Sequence, residues 1–252
     1  MYLTTKALVL RLTDYNDKDC LLTLLTPDHG KLTAKARGLR RKNSPLVAPC
    51  QLLAYGEFTL FDYRGMYTVN EAQSIELFHG LRRDLTRLSL GTYFAQAAEV
   101  LSQEDMPSPE LLSLVLNCLY ALDKLEKSET MVKAVFELRA AAQAGYFPDL
   151  DGCHVCGKAD AELFDLSRGQ LECRGCRAAG ESGIRMPLTA GMKDAMRYIL
   201  SCDSRKLFSF RLDTPLLERL SSVTEGYLTT QLERSFSTLD FYKSLLIGDQ
   251  YV

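Results

Sequence analysis

The chain has 252 residues, enough for two or three small domains and for a sizeable buried core. A 46% hydrophobic and 25% charged composition is that of a globular protein and excludes an intrinsically disordered chain. Thirty Lys and Arg against 32 Asp and Glu leave a net charge of −2, which excludes a uniformly basic nucleic-acid coat but not a local basic patch.

Residues 1–80 read as β structure. Runs rich in Leu, Val, Thr, Tyr and Phe recur near 3–12, 20–26, 31–38, 51–62 and 67–78. Turn chemistry at Asn16-Asp17, Pro27-Asp28-His29-Gly30, Asn43-Ser44-Pro45 and Arg64-Gly65 separates them. Five short strands without an intervening helical period predict a small barrel; an OB-type barrel fits, and strand count alone does not separate it from an SH3-like one. No acidic residue lies between Asp28 and Glu57, whereas Lys31, Lys35, Arg37, Arg40, Arg41 and Lys42 crowd into that stretch. On a strand, Lys31, Thr33, Lys35 and Arg37 share one face and Leu32, Ala34 and Ala36 the other. A cationic row of this kind can track a phosphate backbone, and the plainer alternative is a solvated strand face. Arg82 and Arg83, with Arg87, form a second basic cluster, weakened by Asp84. Tyr55, Phe58, Phe61, Tyr63 and Tyr67 could stack on bases, although strands enrich aromatics for packing alone.

From residue 81 the period becomes helical. Apolar stripes run through 90–103, through Leu111, Leu112, Val115, Leu116, Leu119, Leu122 and Leu125 behind Pro109, and through 130–144 up to Gly145. Thr189 is placed to cap a helix carrying Met192, Met196 and Ile199, and a long helix follows Thr214-Pro215. These stripes read as the core of a helical domain.

Cys153-His154-Val155-Cys156 and Cys173-Arg174-Gly175-Cys176 are two C-x-x-C pairs 16 residues apart, a zinc-ligand spacing. Four thiolates close a tetrahedron and leave no position for water or substrate, so one structural zinc ion outweighs a redox dithiol or a catalytic metal. Leu163–Leu166 and Gln170–Glu172, around Ser167-Arg168-Gly169, predict a hairpin that brings the pairs together. Cys20, Cys50, Cys118 and Cys202 lie in apolar stretches and read as buried thiols. The expected organisation is α+β: a barrel over 1–80, a first helical part over 81–150, an inserted zinc module over 151–186 and a second helical part over 187–252.

No phosphate-binding loop, dinucleotide fingerprint or H-E-x-x-H is present, and the three histidines have no neighbouring nucleophile, so a binding module is expected rather than an enzyme. No apolar run reaches the roughly 18 to 20 residues of a membrane helix, and the first residues lack the order of a signal peptide. The chain therefore reads as cytoplasmic.

Thr26-Pro27-Asp28-His29-Gly30-Lys31 running into Ala34-Lys35-Ala36-Arg37-Gly38, and Phe136-Glu137-Leu138-Arg139 leading through Gly145-Tyr146-Phe147-Pro148-Asp149-Leu150 to Cys153-His154-Val155-Cys156-Gly157, resemble the bacterial RecO recombination mediators. The resemblance spans residues 1 to about 245. It implies binding of single- and double-stranded DNA and annealing of complementary strands, including strands coated with single-stranded-DNA-binding protein (SSB). It further implies contacts with the acidic C-terminal tail of SSB, with RecR and, in one pathway, with RecF, loading of recombinase at gaps, and a nucleoid-associated place in the cytoplasm. The family's barrel surface carries over to Lys35, Arg37, Arg40, Arg41 and Lys42. Three other readings are an RNA-binding translation or transcription accessory factor with a structural zinc module, a zinc-dependent hydrolase, and a scaffold without nucleic-acid contact.

Overall fold

The computed structural model describes residues 1–176 and 183–248. Residues 177–182, which fall within the module expected over 151–186, and the last four residues of the chain lie outside the described residues. Two compact units form, one from Met1–Leu125 together with the segment from Phe236 onward, the other from Glu126–Ser235.

The first unit is built on five strands: β1 (Tyr2–Asp14), β2 (Cys20–Thr26), β3 (Gly30–Ala36), β4 (Tyr55–Tyr63) and β5 (Met66–Glu76). They close into a barrel in the order β1-β2-β3-β5-β4, with β3 and β5 parallel and the other pairs antiparallel, which is the OB-type arrangement. Alternation decides which side chains fill it: Ala7, Val9, Leu22, Leu24, Leu32, Ala34, Ala36, Phe58 and Leu60 point inward and are buried. The expected fourth strand begins four residues later than its sequence suggests. Leu53 is left-handed (φ 63°), and Leu53 N–H to Val9 O (2.9 Å) with Val9 N–H to Ala54 O (2.9 Å) turns the chain into β4 through a corner.

Around the barrel lie a 3-10 turn at Leu81–Arg83, α1 (Leu85–Leu101), α2 (Pro109–Asp123) and α6 (Ser237–Gly248). Asp84 caps α1 by accepting from the Thr86 and Arg87 N–H groups at 2.9 and 3.1 Å. The turn into β3 sits against the loop after α1: Lys31 N–H donates to Gln103 O at 3.0 Å, and a side chain at Gly30 would meet two carbonyl oxygens at 2.2 Å. Helix α6, whose sequence carries no clear apolar stripe, packs on α1, with Phe236 just before it against Tyr93 (centroids 5.5 Å) and Thr238 Oγ1 donating to Gln96 Oε1 (2.5 Å).

The second unit contains α3 (Glu129–Gln143), α4 (Ala190–Ser201), α5 (Thr214–Gln231) and a four-stranded sheet ordered β6-β8-β7-β9, from β6 (Asp149–Cys153), β7 (Leu163–Asp165), β8 (Gln170–Glu172) and β9 (Arg185–Pro187). The predicted hairpin is β7–β8, paired Leu163–Glu172, Phe164–Leu171 and Asp165–Gln170. Thr189 caps α4 through the Met192 N–H (3.3 Å). The stretch 81–150 thus contributes α1 and α2 to one unit and α3 to the other. Among the described residues no helix is long and apolar enough to cross a membrane.

Candidate nucleic-acid interface and metal centre

Strand β3 alternates as its sequence dictates, with Leu32, Ala34 and Ala36 inside and Lys31, Thr33 and Lys35 outside. The cations then separate by what holds them. Lys31 is half-buried, and its ammonium donates to Glu99 O (3.0 Å) in the last turn of α1, where the helix dipole favours positive charge. Lys35 lies 3.1 Å from Asp19 Oδ2 and 4.2 Å from the centre of the Tyr15 ring, a cation–π contact. Arg40 pairs with Asp14. Both carboxylates come from the β1–β2 hairpin, far in sequence from the acid-free stretch, so a linear charge count overstates the free cations. Arg37, Arg41 and Lys42 are exposed and make no ion pair among the described residues. They sit immediately after β3, where Gly38 N–H donates to Asp19 Oδ1 at 2.8 Å and fixes the start of the loop.

Asp19 is central to this arrangement. The Gly38 N–H, the Lys35 ammonium and the Asn16 amide hold its carboxyl down at about 2, against an ordinary 3.8. A depressed carboxylate stabilises the folded state above its unfolded value, and the contribution is lost as pH falls through the folded value. We therefore expect the Asp19 carboxyl resonance to titrate near pH 2, and Asp19→Asn to lose that low-pH step while loosening the Lys35 side chain.

The second basic cluster divides in the same way. The half-buried Arg82 guanidinium donates to Leu52 O (2.7 Å), tying the 3-10 turn to the barrel, and burial lowers its pKa. Arg87 donates to Leu122 O (3.0 Å) at the end of α2. Arg83 is exposed. Among the aromatics, Phe58 is barrel core and Tyr67 packs partly against it, whereas Phe61 and Tyr63 are exposed. Tyr15 was not singled out from the sequence; its place beside the Asn16-Asp17 turn is the signal that would have found it.

In the second unit the sulfur atoms of Cys153, Cys156, Cys173 and Cys176 all lie within 4.8 Å of one another. Cys153 ends β6, Cys156 lies in the turn that follows, and Cys173 and Cys176 bracket a 3-10 turn after β8. Gly157 takes φ 73° to close the first knuckle, its N–H donating to Cys153 O (2.8 Å); Gly175, within the 3-10 turn, is not left-handed. Cys156 and Cys173 sulfurs are 3.8 Å apart, about the edge of a tetrahedron with metal–sulfur bonds of about 2.3 Å. The Cys173 N–H points at Cys153 Sγ (3.4 Å). Burial opposes charge on Cys153, yet the N–H groups of Cys156, Cys173 and Val155 hold its thiol down at about 6. Burial and the neighbouring sulfurs push Cys173 up to about 12, and hydrogen bonding to Cys156 with burial pushes Cys176 up to about 11. One thiolate forms readily and the next two resist, a conflict that a bound cation removes. The four cysteines can hold a metal ion. His154 is exposed and outside this group.

Behind the ligands, the buried Arg185 of β9 lies 3.2 Å from Asp165 Oδ2 of β7 and 3.1 Å from Glu172 Oε2 of β8, clamping three strands. This clamp had no signal in sequence, because its members belong to three separate strands. Cys20, Cys50 and Cys118 are buried thiols, as expected; Cys202 is half-buried.

The first unit is thus a closed OB-type barrel with exposed cations after its third strand and flanking helices, and the second carries four converging cysteines able to hold a metal ion. The family model described as Recombination protein O N terminal matches residues 1–78, and that described as Recombination protein O C terminal matches 82–240. The chain belongs to the RecO family. It is 34% identical over 246 residues to the DNA repair protein RecO of Acetivibrio thermocellus, covering 97% of each chain. It is 31% identical over 250 residues to that of Alkaliphilus metalliredigens, covering 97% of this chain and all of the relative. With that of Thermoanaerobacter sp. it shares 28% over 244 residues, covering 96% and 98%.

Proposed function

We propose that the protein is a DNA-binding recombination mediator of DNA repair. It binds single- and double-stranded DNA through the barrel, anneals complementary strands, including SSB-coated ones, and helps load recombinase at gaps. Its partners are the SSB C-terminal tail, RecR and, in one pathway, RecF, in the nucleoid region of the cytoplasm. The observation that carries this reading is the family match along the chain, joined to Arg37, Arg41 and Lys42 standing exposed and unpaired at the end of β3.

Annealing needs no bond to be made or broken in the protein. Cations on the barrel lower the repulsion between two polyanions and release their counterions, while base pairing supplies the specificity. The protein is accordingly proposed to be no enzyme. The metal is one zinc ion with a structural role, since four cysteines fill its coordination shell and match its preferred donors.

Anisotropy of a fluorescent single-stranded oligonucleotide across a salt series tests this reading. Three engaged phosphates at about 0.7 each give a log–log slope near −2, steepening towards roughly −3.5 if Lys35 and Arg40 leave Asp19 and Asp14 for phosphate. The triple change Arg37→Ala, Arg41→Ala and Lys42→Ala is expected to flatten the slope by about 2 and to slow annealing in parallel. Normal annealing by that variant would remove this surface from the proposal, and tighter binding to duplex RNA than to single-stranded DNA would favour the accessory-factor reading.

A further inference from the structure

The outer face of the barrel carries aromatic side chains that neither the core nor the cationic loop uses. Strand register places them. Lys35 of β3 pairs with Thr68 of β5, Thr68 with Phe61 of β4, and Phe61 with Tyr2 of β1, so these four form one row across four strands. At about 4.8 Å per strand, Phe61 stands roughly 10 Å from the Lys35 position and Tyr2 one strand further. Tyr63, paired with Met66, lies one step nearer the hairpin tip on the same face. Tyr2 is 60% exposed, Phe61 38% and Tyr63 61%, while Leu60, next to Phe61 on the opposite face of β4, is fully buried, so these rings point away from the core.

The rings are held in place. Tyr2 and Phe61 pack with centroids 5.3 Å apart. The β4–β5 connection is the two-residue turn Arg64-Gly65, both left-handed at φ 54° and 79°, closed by Gly65 N–H to Asp62 Oδ1 (3.0 Å). It sets the Arg64 guanidinium 5.3 Å from the centre of the Tyr63 ring. Side chains of the Tyr2–Lys35 row and of the Tyr63–Met66 pair bear no carboxylate; Glu71 and Glu57 lie further along β5 and β4. Rigid exposed rings between the Arg64 cation at the tip and the Lys35–Arg37 edge of β3 suit a ligand with flat apolar faces and an anionic backbone. Unpaired bases on a single strand have that chemistry, whereas the bases of a duplex hide their faces in the stack.

We propose that Tyr2, Phe61 and Tyr63 form a base-stacking platform for single-stranded DNA, continuous with the cationic edge of β3. It deepens the DNA-binding reading and rests on it. The platform gives the protein a preference for unpaired strands that phosphate contacts alone do not supply.

The test compares wild type with the triple variant Tyr2→Ala, Phe61→Ala, Tyr63→Ala on an oligothymidylate of about 30 nucleotides and on an abasic strand of equal length. Loss of stacking is expected to weaken oligothymidylate binding about tenfold or more, to change abasic binding by less than about twofold, and to leave the salt slope unchanged. Equal losses on both strands, or none on either, overturn the platform. Failure of wild type to bind either strand at low salt overturns the DNA-binding reading instead. Because the chain has no Trp, Phe61→Trp supplies a single reporter. Its emission should be quenched by oligothymidylate and not by the abasic strand, while an emission change with protein concentration alone would show that a second copy covers this face.

Discussion

Cys153→Ser is expected to abolish the metal binding proposed for the four cysteines and to unfold the four-stranded sheet of the second unit. Three of its strands have three residues each, too short to persist on pairing alone, and the sheet's own interior amounts to little more than Leu150, Phe164, Leu166 and Leu171. A four-thiolate zinc site contributes roughly 10–16 kcal/mol of apparent folding free energy in zinc-finger peptides, more than such an interior can replace. Among the four ligands Cys153 is the buried one and takes the Cys173 N–H bond, so its loss removes a ligand and an organising acceptor together. Metal content should fall from one ion per chain to none, and the Phe164 and Leu171 amides should lose their protection from hydrogen exchange. His154→Ala, altering an exposed side chain beside the same knuckle, should leave both unchanged. Binding of a short oligonucleotide should survive in the Cys153 variant, because the barrel belongs to the other unit.

Lys133→Met should destabilise the protein by about 3–5 kcal/mol, the range for removing one partner of a buried ion pair. The Lys133 ammonium, almost wholly buried on α3, lies 3.0 Å from Glu137 Oε1 and 2.8 Å from Glu225 Oε2 of α5, and donates to Ser221 O and Oγ at 3.3 and 3.2 Å. Without it Glu137, fully buried, loses its ammonium partner at 3.0 Å and faces Glu225 with that cation gone from between them. Burial already pushes the Glu137 pKa up, and the variant pushes it further. A carboxyl raised on folding favours the folded state more as pH falls towards its unfolded value, so the deficit should shrink in mild acid. The double variant Lys133→Met, Glu137→Leu should recover most of the loss, because it replaces both members of the buried pair by apolar groups. Chemical denaturation at pH 7 and pH 5 checks both statements.

Much of the fold was legible because its signals are local. Alternation marked the barrel strands, Pro109 and Thr189 marked helix starts, and the spacing of Cys153, Cys156, Cys173 and Cys176 described a site whose sulfurs do converge. What was not legible is non-local. The sequence from Asp28 to Glu57 looks like six free cations, but Asp14 and Asp19 reach Arg40 and Lys35 from another hairpin, and Lys31 turns to a helix end. The Lys133 network joins residues 88 positions apart, and Phe61 was separable from Phe58 only by the side of the barrel each faces. Helix α6 gives no clear stripe because it buries Leu239 and Tyr242 against its unit but leaves the equally apolar Phe241, Leu246 and Ile247 exposed.

The return of the chain at Phe236 to the unit it left at Leu125 has a consequence for the order of biogenesis. As the chain emerges from the ribosome, the barrel with α1 and α2 comes first, then the whole second unit, and only afterwards the segment whose Phe236 and Thr238 cover Tyr93 and Gln96. Until then the side of Tyr93 that Phe236 covers stays open, and a nascent chain stalled before residue 236 presents that apolar surface to chaperones. The second unit, by contrast, has all its segments in hand at that moment, including the four cysteines that can hold a metal ion.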